Sequence, residues 1–165
     1  MQTPDPTPEH QWLLQLVGDW EFECECVMGP DQPPIISTGK QVTRSLGSLW
    51  TLGEMQGTDP DGEQGLPTQS LITLGYDPAK ARFVGSFVAS CMTHLWPYDG
   101  QLDDARKVLT LDSEGPSFAG DGTMAKYQDI IEIVDRDQYL LLSQVRNPDG
   151  SWMQFMRGKY TRVAG

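Results

Sequence analysis

The stretch LLQLVGDWEFECECVM, from Leu13 to Met28, decides the fold class. From Trp20 to Cys26, aromatic and cysteine side chains alternate strictly with glutamates. Successive side chains of a strand point to opposite faces, so this pattern predicts an antiparallel strand with one buried face. Gly18, just before the large aromatic ring, suits a barrel in which that ring closes one end. The predicted inward set is Trp20, Phe22, Cys24 and Cys26.

The composition is that of a globular domain with many turns. We expect the 165 residues to form a single domain, 1–165, with residues 1–6 as a loose tail. At this length, folding buries about 70% of the surface of the unfolded chain, so a full core is available. The 17 glycines and 12 prolines cluster between apolar runs, as expected of strands joined by turns.

Charge and hydropathy exclude several kinds of partner. The net charge of −11 disfavours nucleic acids and anionic membrane surfaces. No stretch approaches the ~20 apolar residues that cross a bilayer, so no membrane insertion is expected. The N-terminus lacks the basic and apolar segments of a signal peptide, which predicts a cytoplasmic location. Three cysteines, an odd number, do not make a disulfide framework.

The rest of the chain predicts one short helix and a series of strands. Thr7-Pro8-Glu9 has an N-cap, a proline at the first helical position and an acid in the first turn, so a helix should run to about Leu16. A polar connection at 58–66 and a turn at Asp99-Gly100 separate later strands. The strands predicted after the first are 36–46, 49–56, 69–76, 82–91, 95–98, 108–112, 126–134, 138–145 and 152–162.

About ten strands, each joined to its neighbour, favour closure. Strongly twisted open sheets rarely exceed about ten strands, and a closed barrel has no exposed edges. The predicted fold is therefore all-β, an antiparallel meander barrel of about ten strands with the short N-terminal helix at one end.

Several segments, in order along nearly the whole chain, resemble one bacterial family of domains of unknown function with a calycin-like (lipocalin-like) barrel. The resemblance implies a barrel fold and no established activity. It also implies an aspartate in many members at the position of Ala89, where this chain departs from the pattern. The segments are Leu16-Val17-Gly18-Asp19-Trp20, Arg44-Ser45-Leu46-Gly47, Leu74-Gly75-Tyr76-Asp77, Phe83 to Ser90, His94-Leu95-Trp96 and Tyr160-Thr161-Arg162.

The element Gly18-Asp19-Trp20 is also similar to the first-strand signature of true lipocalins. That resemblance implies a basic residue on the last strand, here Arg162 or Arg157, packed over Trp20. A cation over an aromatic face contributes about 0.5–2 kcal/mol. We therefore assign structural roles to Gly18, Trp20 and Arg162.

A candidate ligand pocket is built from aromatic and methionine side chains. Trp50, Met92, Trp96 and Tyr98 could line an apolar cavity, and barrel mouths are favoured places for such sites. The same rings could instead fill a small barrel, as side chains fill one of about eight strands. His94 and Arg44 are the candidate polar contacts, Arg44 for a carboxylate, although a solvated outward arginine fits equally. Both alternate faces of residues 83–92 are apolar, so either could point inward.

Metal, haem and catalytic hypotheses depend on few residues. His94 could bind haem, as a single histidine does in the barrel-shaped nitrobindins, or be a hydrogen-bonded histidine at a strand end. Cys24, Cys26 and Cys91 could join it at a metal, or be three small core residues. No cofactor or metal is expected. The motifs of serine hydrolases, zinc proteases and phosphate loops are absent, so no catalytic residue is assigned.

The function predicted from these features is binding of a small apolar or amphiphilic molecule inside the barrel. Three alternatives stay open. The barrel could be a small-molecule enzyme with His94 as general acid or base, or a haem-binding barrel. It could also be a solid interaction module whose outer face pairs with a partner or with a second copy, as a homodimer.

Overall fold

The computed structural model describes residues 1–27, 29, 31–57 and 68–163. The connection predicted at 58–66 lies outside the described residues. The helix α1 (Pro8–Leu13) continues as a 3₁₀ turn, Leu14–Leu16. The strands are β1 (Gly18–Cys26), β2 (Ile35–Leu46), β3 (Trp50–Gly57), β4 (Thr68–Asp77), β5 (Arg82–Ala89), β6 (Trp96–Leu102), β7 (Val108–Pro116), β8 (Met124–Asp135), β9 (Gln138–Arg146) and β10 (Trp152–Arg162).

The ten strands form a closed antiparallel barrel in simple chain order. Each strand pairs with the next, and β10 returns to pair with β1. In the closing pair, Trp20 lies opposite Arg162 and Cys26 opposite Met156. The predicted all-β meander barrel is confirmed. Residues 1–6 have no helix or strand and are exposed.

The turn predicted at Asp99-Gly100 is wrong, because β6 continues through it to Leu102. Gly100 faces inward, and a Cβ there would lie 2.7 Å from Leu111, so this glycine serves packing rather than a turn. Asp99 forms an ion pair with Arg82 across the outer face at 2.5 Å. The chain turns later, where the Asp103 carboxylate accepts hydrogen bonds from the backbone of residues 107 and 108.

Helix α1 closes one end of the barrel, which we call the plug end. The Thr7 backbone N–H donates to His10 Nδ1 at 2.9 Å, and the Thr7 hydroxyl accepts from the His10 backbone N–H. This cap leaves the proton on His10 Nε2, which donates to the Tyr76 carbonyl at 3.0 Å. Trp12 and Leu13 are buried, and the Trp12 indole donates to the Arg106 carbonyl at 2.7 Å. The helix is therefore tied to both β4 and the β6–β7 turn.

Trp20 forms the floor above this plug. The ring is buried, and its Nε1–H donates to the Leu16 carbonyl at 2.9 Å. The Arg162 guanidinium lies 4.2 Å above the ring and donates to the Val17 carbonyl at 2.7 Å. Gly18 has φ +141°, and a Cβ there would collide with the guanidinium. Of the two arginines considered for this place, Arg162 occupies it, whereas Arg157 is exposed.

Candidate functional site

The inward face of β5 contains Phe83, Gly85, Phe87 and Ala89. Phe83 is buried in the core, whereas Val88 on the opposite face is exposed. Register then places Phe87 opposite Trp96 on β6, so Trp96 and Tyr98 also face the interior. The orientation left open by the sequence is thus decided by which face of β5 meets the core.

The structure does not bring the six predicted ligand-binding residues together. Trp96 and Tyr98 point inward. Trp50 lies on the outer face of β3, 40% exposed, with its ring over Gly75. Met92 is 42% exposed in the turn after β5, and Arg44 is exposed on the outer face of β2. These three lie outside the interior because their positions alternate with the inward ones.

His94 stands beside Trp96 at the end opposite the helix, which we call the far end. Its Nε2 is 2.9 Å from the Glu114 carbonyl, and its ring meets Trp96 edge-on with centroids 4.8 Å apart. A haem iron would require a free imidazole nitrogen directed into the cavity, and Nε2 is engaged with the strand backbone. The observed arrangement supports the Trp96 ring and does not fit a haem ligand.

Trp96 begins a cluster of aromatic rings along one side of the far end. Its ring packs on Gly115, where a Cβ would collide with it, and meets Tyr127 at 4.9 Å. Tyr127 in turn contacts Phe118 and Phe155. The Trp96 indole Nε1 is buried and has no hydrogen-bond partner within the described part of the chain. A buried donor without a partner is costly, so this N–H is available to an acceptor from outside the chain.

A carboxyl group lies in the middle of the interior. Asp129 is on the inward face of β8, in register with Leu111 on β7 and Ser143 on β9. The Tyr98 hydroxyl donates to Asp129 Oδ2, and the Ser143 hydroxyl donates to Oδ1 at 2.6 Å. Three strands therefore orient one carboxyl group.

Burial sets the titration of this cluster. Desolvation raises the pKa of Asp129 above its usual value, while the hydrogen bonds from Ser143 and Tyr98 oppose the rise. Desolvation also raises the pKa of Tyr98 well above its usual range, and the adjacent carboxylate adds to that rise. The tyrosine thus stays a neutral hydrogen-bond donor.

Asp129 and Ser143 were not predicted from the sequence, although a signal was available. Asp129 follows Tyr127 and precedes Ile131 with the period of two that marks the inward face of β8. An acid on the apolar side of an alternating strand is unusual enough to mark a site. Ser143 has the same relation to the inward Val145 on β9.

A second polar group tiles the interior nearer the floor. The Gln41 amide donates to the Thr43 hydroxyl at 3.0 Å and to the Tyr139 hydroxyl at 3.3 Å. Tyr139 stacks on Tyr160 with centroids 4.6 Å apart, and the Tyr160 hydroxyl lies 3.8 Å from the Met55 sulfur. These contacts satisfy buried polar atoms and fill the plug half of the barrel.

The far half is packed less completely than the plug half. Near the plug, inward side chains such as Leu109 and Leu111 have no exposed surface. In the far half, several inward side chains that touch the core remain partly exposed, and Asp129 does too. A filled barrel would bury all of these positions. The partly exposed apolar residues of this half are Met55, Ile72, Phe87 and Leu141.

The three cysteines are free thiols in three different environments. Cys24 is buried, and desolvation raises the pKa of its thiol to about 11. Cys26 is half-buried, and Cys91 is exposed, so the expectation of three core cysteines is wrong for Cys91. Among the described residues, no three His, Cys, Asp or Glu side chains converge as metal ligands, so these cysteines and His94 do not assemble a metal site.

A groove of about 840 Å³ crosses β10, β1, β2 and β3, but its walls are charged. Its lining includes Glu21, Glu23, Lys40 and Lys159, which alternate with the inward residues of their strands. This surface suits solvent better than an apolar molecule.

Fold and interior together define a class: closed ten-stranded antiparallel barrels with a plugged end and a partly accessible interior. The chain belongs to the family described as protein of unknown function (DUF1579), whose model matches residues 5–162. No curated protein matches the sequence. In the described residues, no helix combines the length and apolar character needed to cross a membrane.

Solved structures share the fold at low sequence identity. The crystal structure of Rv2717c from M. tuberculosis is 15% identical, with a TM-score of 0.62 over 97% of this chain and 100% of that chain. EF1p2_mFAP2b bound to DFHBI is 15% identical, with a TM-score of 0.49 over 93% and 98%. A redesigned β-barrel, mFAP0, bound to DFHBI is 14% identical, with a TM-score of 0.49 over 90% and 99%. At these identities the likeness concerns the fold alone.

Proposed function

We propose that the far half of the barrel binds a small apolar or amphiphilic molecule. The observation behind this proposal is the partial exposure of Met55, Ile72, Phe87 and Leu141, inward side chains in a closed wall. Trp96 and Tyr98 complete the lining, the first with an unpartnered N–H and the second beside a carboxyl group. Apolar walls with few placed polar groups are typical of small-molecule sites.

The affinity expected of such a site is modest. Each buried CH₂ contributes about 0.8 kcal/mol, so an eight-carbon chain contributes at most about 6 kcal/mol, equivalent to a Kd of tens of micromolar. The loss of translational and rotational freedom weakens this value. We therefore expect 1-octanol to bind with a submillimolar Kd.

Calorimetric titration with 1-octanol tests the proposal. Trp96→Leu removes much of the lining and should weaken octanol binding severalfold, with a smaller relative change in Tm. Trp50→Leu is the matched control, because it removes the same ring from the outer face, and its Kd should equal that of the wild type. Equal weakening in both variants, or no octanol binding by the wild type, would contradict an interior site.

A second candidate, pairing of two copies of the chain, is favoured by the outer face of β2 to β5. Val42 and Leu46 are 52% and 53% exposed, and register places Leu46 directly beside Trp50. Isolated exposed apolar residues are ordinary, but a contiguous patch is typical of an interface. Arg44 and Glu54 lie within the patch, both exposed, so a two-fold axis can pair opposite charges.

Sedimentation velocity over a hundredfold concentration range tests this pairing. The wild type should shift from monomer to dimer, and Trp50→Glu should remain monomeric. A matched charge on the opposite wall, Gln154→Glu, should leave the dimer intact. A wild type that stays monomeric throughout would exclude the candidate.

A further inference from the structure

Asp129 is alone in its charge inside the barrel. Across the described residues, the inward positions of the ten strands contain a single acid, Asp129, and a single cation, Arg162. Arg162 is held at the plug end over Trp20, where its guanidinium donates to carbonyls of residues 15, 17 and 136. It is therefore committed to the floor and does not neutralise the carboxylate.

The groups that face Asp129 are neutral donors and apolar side chains. Tyr98 comes from β6 and Ser143 from β9, and both donate to the carboxyl group. Tyr160 faces it from β10, Tyr127 is the next inward residue on β8, and β7 presents Leu111. Each of these tyrosines has a raised pKa, so none supplies a positive charge.

The carboxyl group has unused capacity as an acceptor. Each ionised oxygen has two lone pairs, and Tyr98 and Ser143 occupy one on each oxygen. Asp129 remains partly exposed toward the interior, so a third donor can reach it. A buried carboxylate with no opposite charge is costly, and a cation that supplies both charge and a hydrogen bond removes that cost. A hard metal ion would need several oxygen ligands, which the described interior does not bring together.

We propose that the interior recognises amphiphilic amines, with a protonated primary or secondary amine donating to Asp129 and an apolar body lying against Phe87 and Leu141. This inference rests on the proposed function of the barrel as a small-molecule binder and specifies its ligand class. It also explains the two hydroxyl groups, which orient the carboxylate and leave its remaining lone pairs toward the cavity. A quaternary ammonium cannot donate to these lone pairs and binds more weakly.

Titration calorimetry with three probes of equal length tests the proposal at pH 8. The probes are n-octylamine, 1-octanol and octanoate, each titrated into the wild type, Asp129→Asn and Glu132→Gln. Glu132 lies on the outer face of the same strand, so Glu132→Gln removes the same charge without altering the interior. It therefore corrects for non-specific attraction of the amine to an acidic protein.

The wild type should bind octylamine at least tenfold more tightly than octanol and should not bind octanoate. Asp129→Asn should bring the affinity for octylamine down to that for octanol, whereas Glu132→Gln should keep the wild-type ratio. Octanol binding without a preference for the amine would overturn amine recognition while leaving interior binding intact. No binding of any probe would overturn both. If Asp129→Asn does not fold, the three-probe ratio in the wild type alone decides.

Discussion

At the scale of single residues, Asp129 dominates the chemistry of the interior. It is the inward acid of the described strands, and it is fixed by hydroxyl groups rather than by a counter-ion. Such an arrangement favours the protonated carboxyl in the empty barrel and the ionised carboxylate once a cation enters. The same residue thus links proton binding, stability and ligand choice.

The stability contribution of Asp129 should depend on pH. Its folded-state pKa is raised by desolvation, so the folded protein holds this proton more tightly than the unfolded chain. That stabilisation is present below the unfolded pKa and is lost as pH rises through the folded pKa. Asp129→Asn cannot ionise, so its free energy of unfolding should rise relative to wild type between pH 4 and pH 8, by about 1.4 kcal/mol for each pKa unit between the two states. Urea denaturation of both proteins measures this difference, and a constant difference across pH would show that the carboxyl is not desolvated.

At the scale of elements, α1 is a short helix that depends on its cap. Six α-helical residues are too few to be stable alone, so the cap and the packing of Trp12 and Leu13 hold the helix in place. The unusual feature is His10, which accepts from the Thr7 backbone and donates to β4 through its other nitrogen.

Removing the cap should loosen the plug. Thr7→Ala eliminates the side-chain oxygen that accepts from the His10 backbone N–H, and N-cap losses of this kind cost about 0.5–2 kcal/mol. The decrease should appear in the free energy of unfolding from urea titration. Thr3→Ala in the exposed tail is the control and should change nothing. Equal effects of the two substitutions would mean that the cap does not contribute to stability.

The elements also show what the sequence can predict. The alternation in β1 and the apolar runs between glycine-rich turns were sufficient for the barrel, because local periodicity reports strand faces directly. Asp99-Gly100 misled, because glycine is used both for turns and for close packing, and only the neighbouring Leu111 distinguishes them. The face of β5 could not be chosen, since both sets of side chains are apolar.

The candidate site was predictable only in part for the same reason. Trp96 and Tyr98 could be recognised as aromatic residues on a strand, whereas the positions of Trp50 and Arg44 depend on which face of β2 and β3 meets the core. The contact of Tyr98 with Asp129 joins strands separated by 31 residues in sequence and cannot be read from either strand alone.

At the scale of the whole molecule, the account divides the barrel into a solid plug half and an accessible far half. The division predicts opposite responses to added volume. Leu141→Phe places extra atoms in the accessible half and should change the free energy of unfolding by less than about 0.5 kcal/mol. Leu109→Phe places the same atoms in the filled half, where overpacking costs about 1–3 kcal/mol. Thermal and urea denaturation measure both, and equal costs would show that the barrel is uniformly filled.

The most direct test of interior binding follows the five indole N–H resonances of ¹⁵N-labelled protein during titration with 1-octanol. Trp12 and Trp20 report on the plug through hydrogen bonds to Arg106 and Leu16, Trp50 and Trp152 report on exposed positions, and Trp96 alone reports on the far half of the interior. The account predicts a saturable shift of the Trp96 resonance, with the other four nearly unchanged. A shift of Trp50 without one of Trp96, or no saturable shift at all, would contradict it.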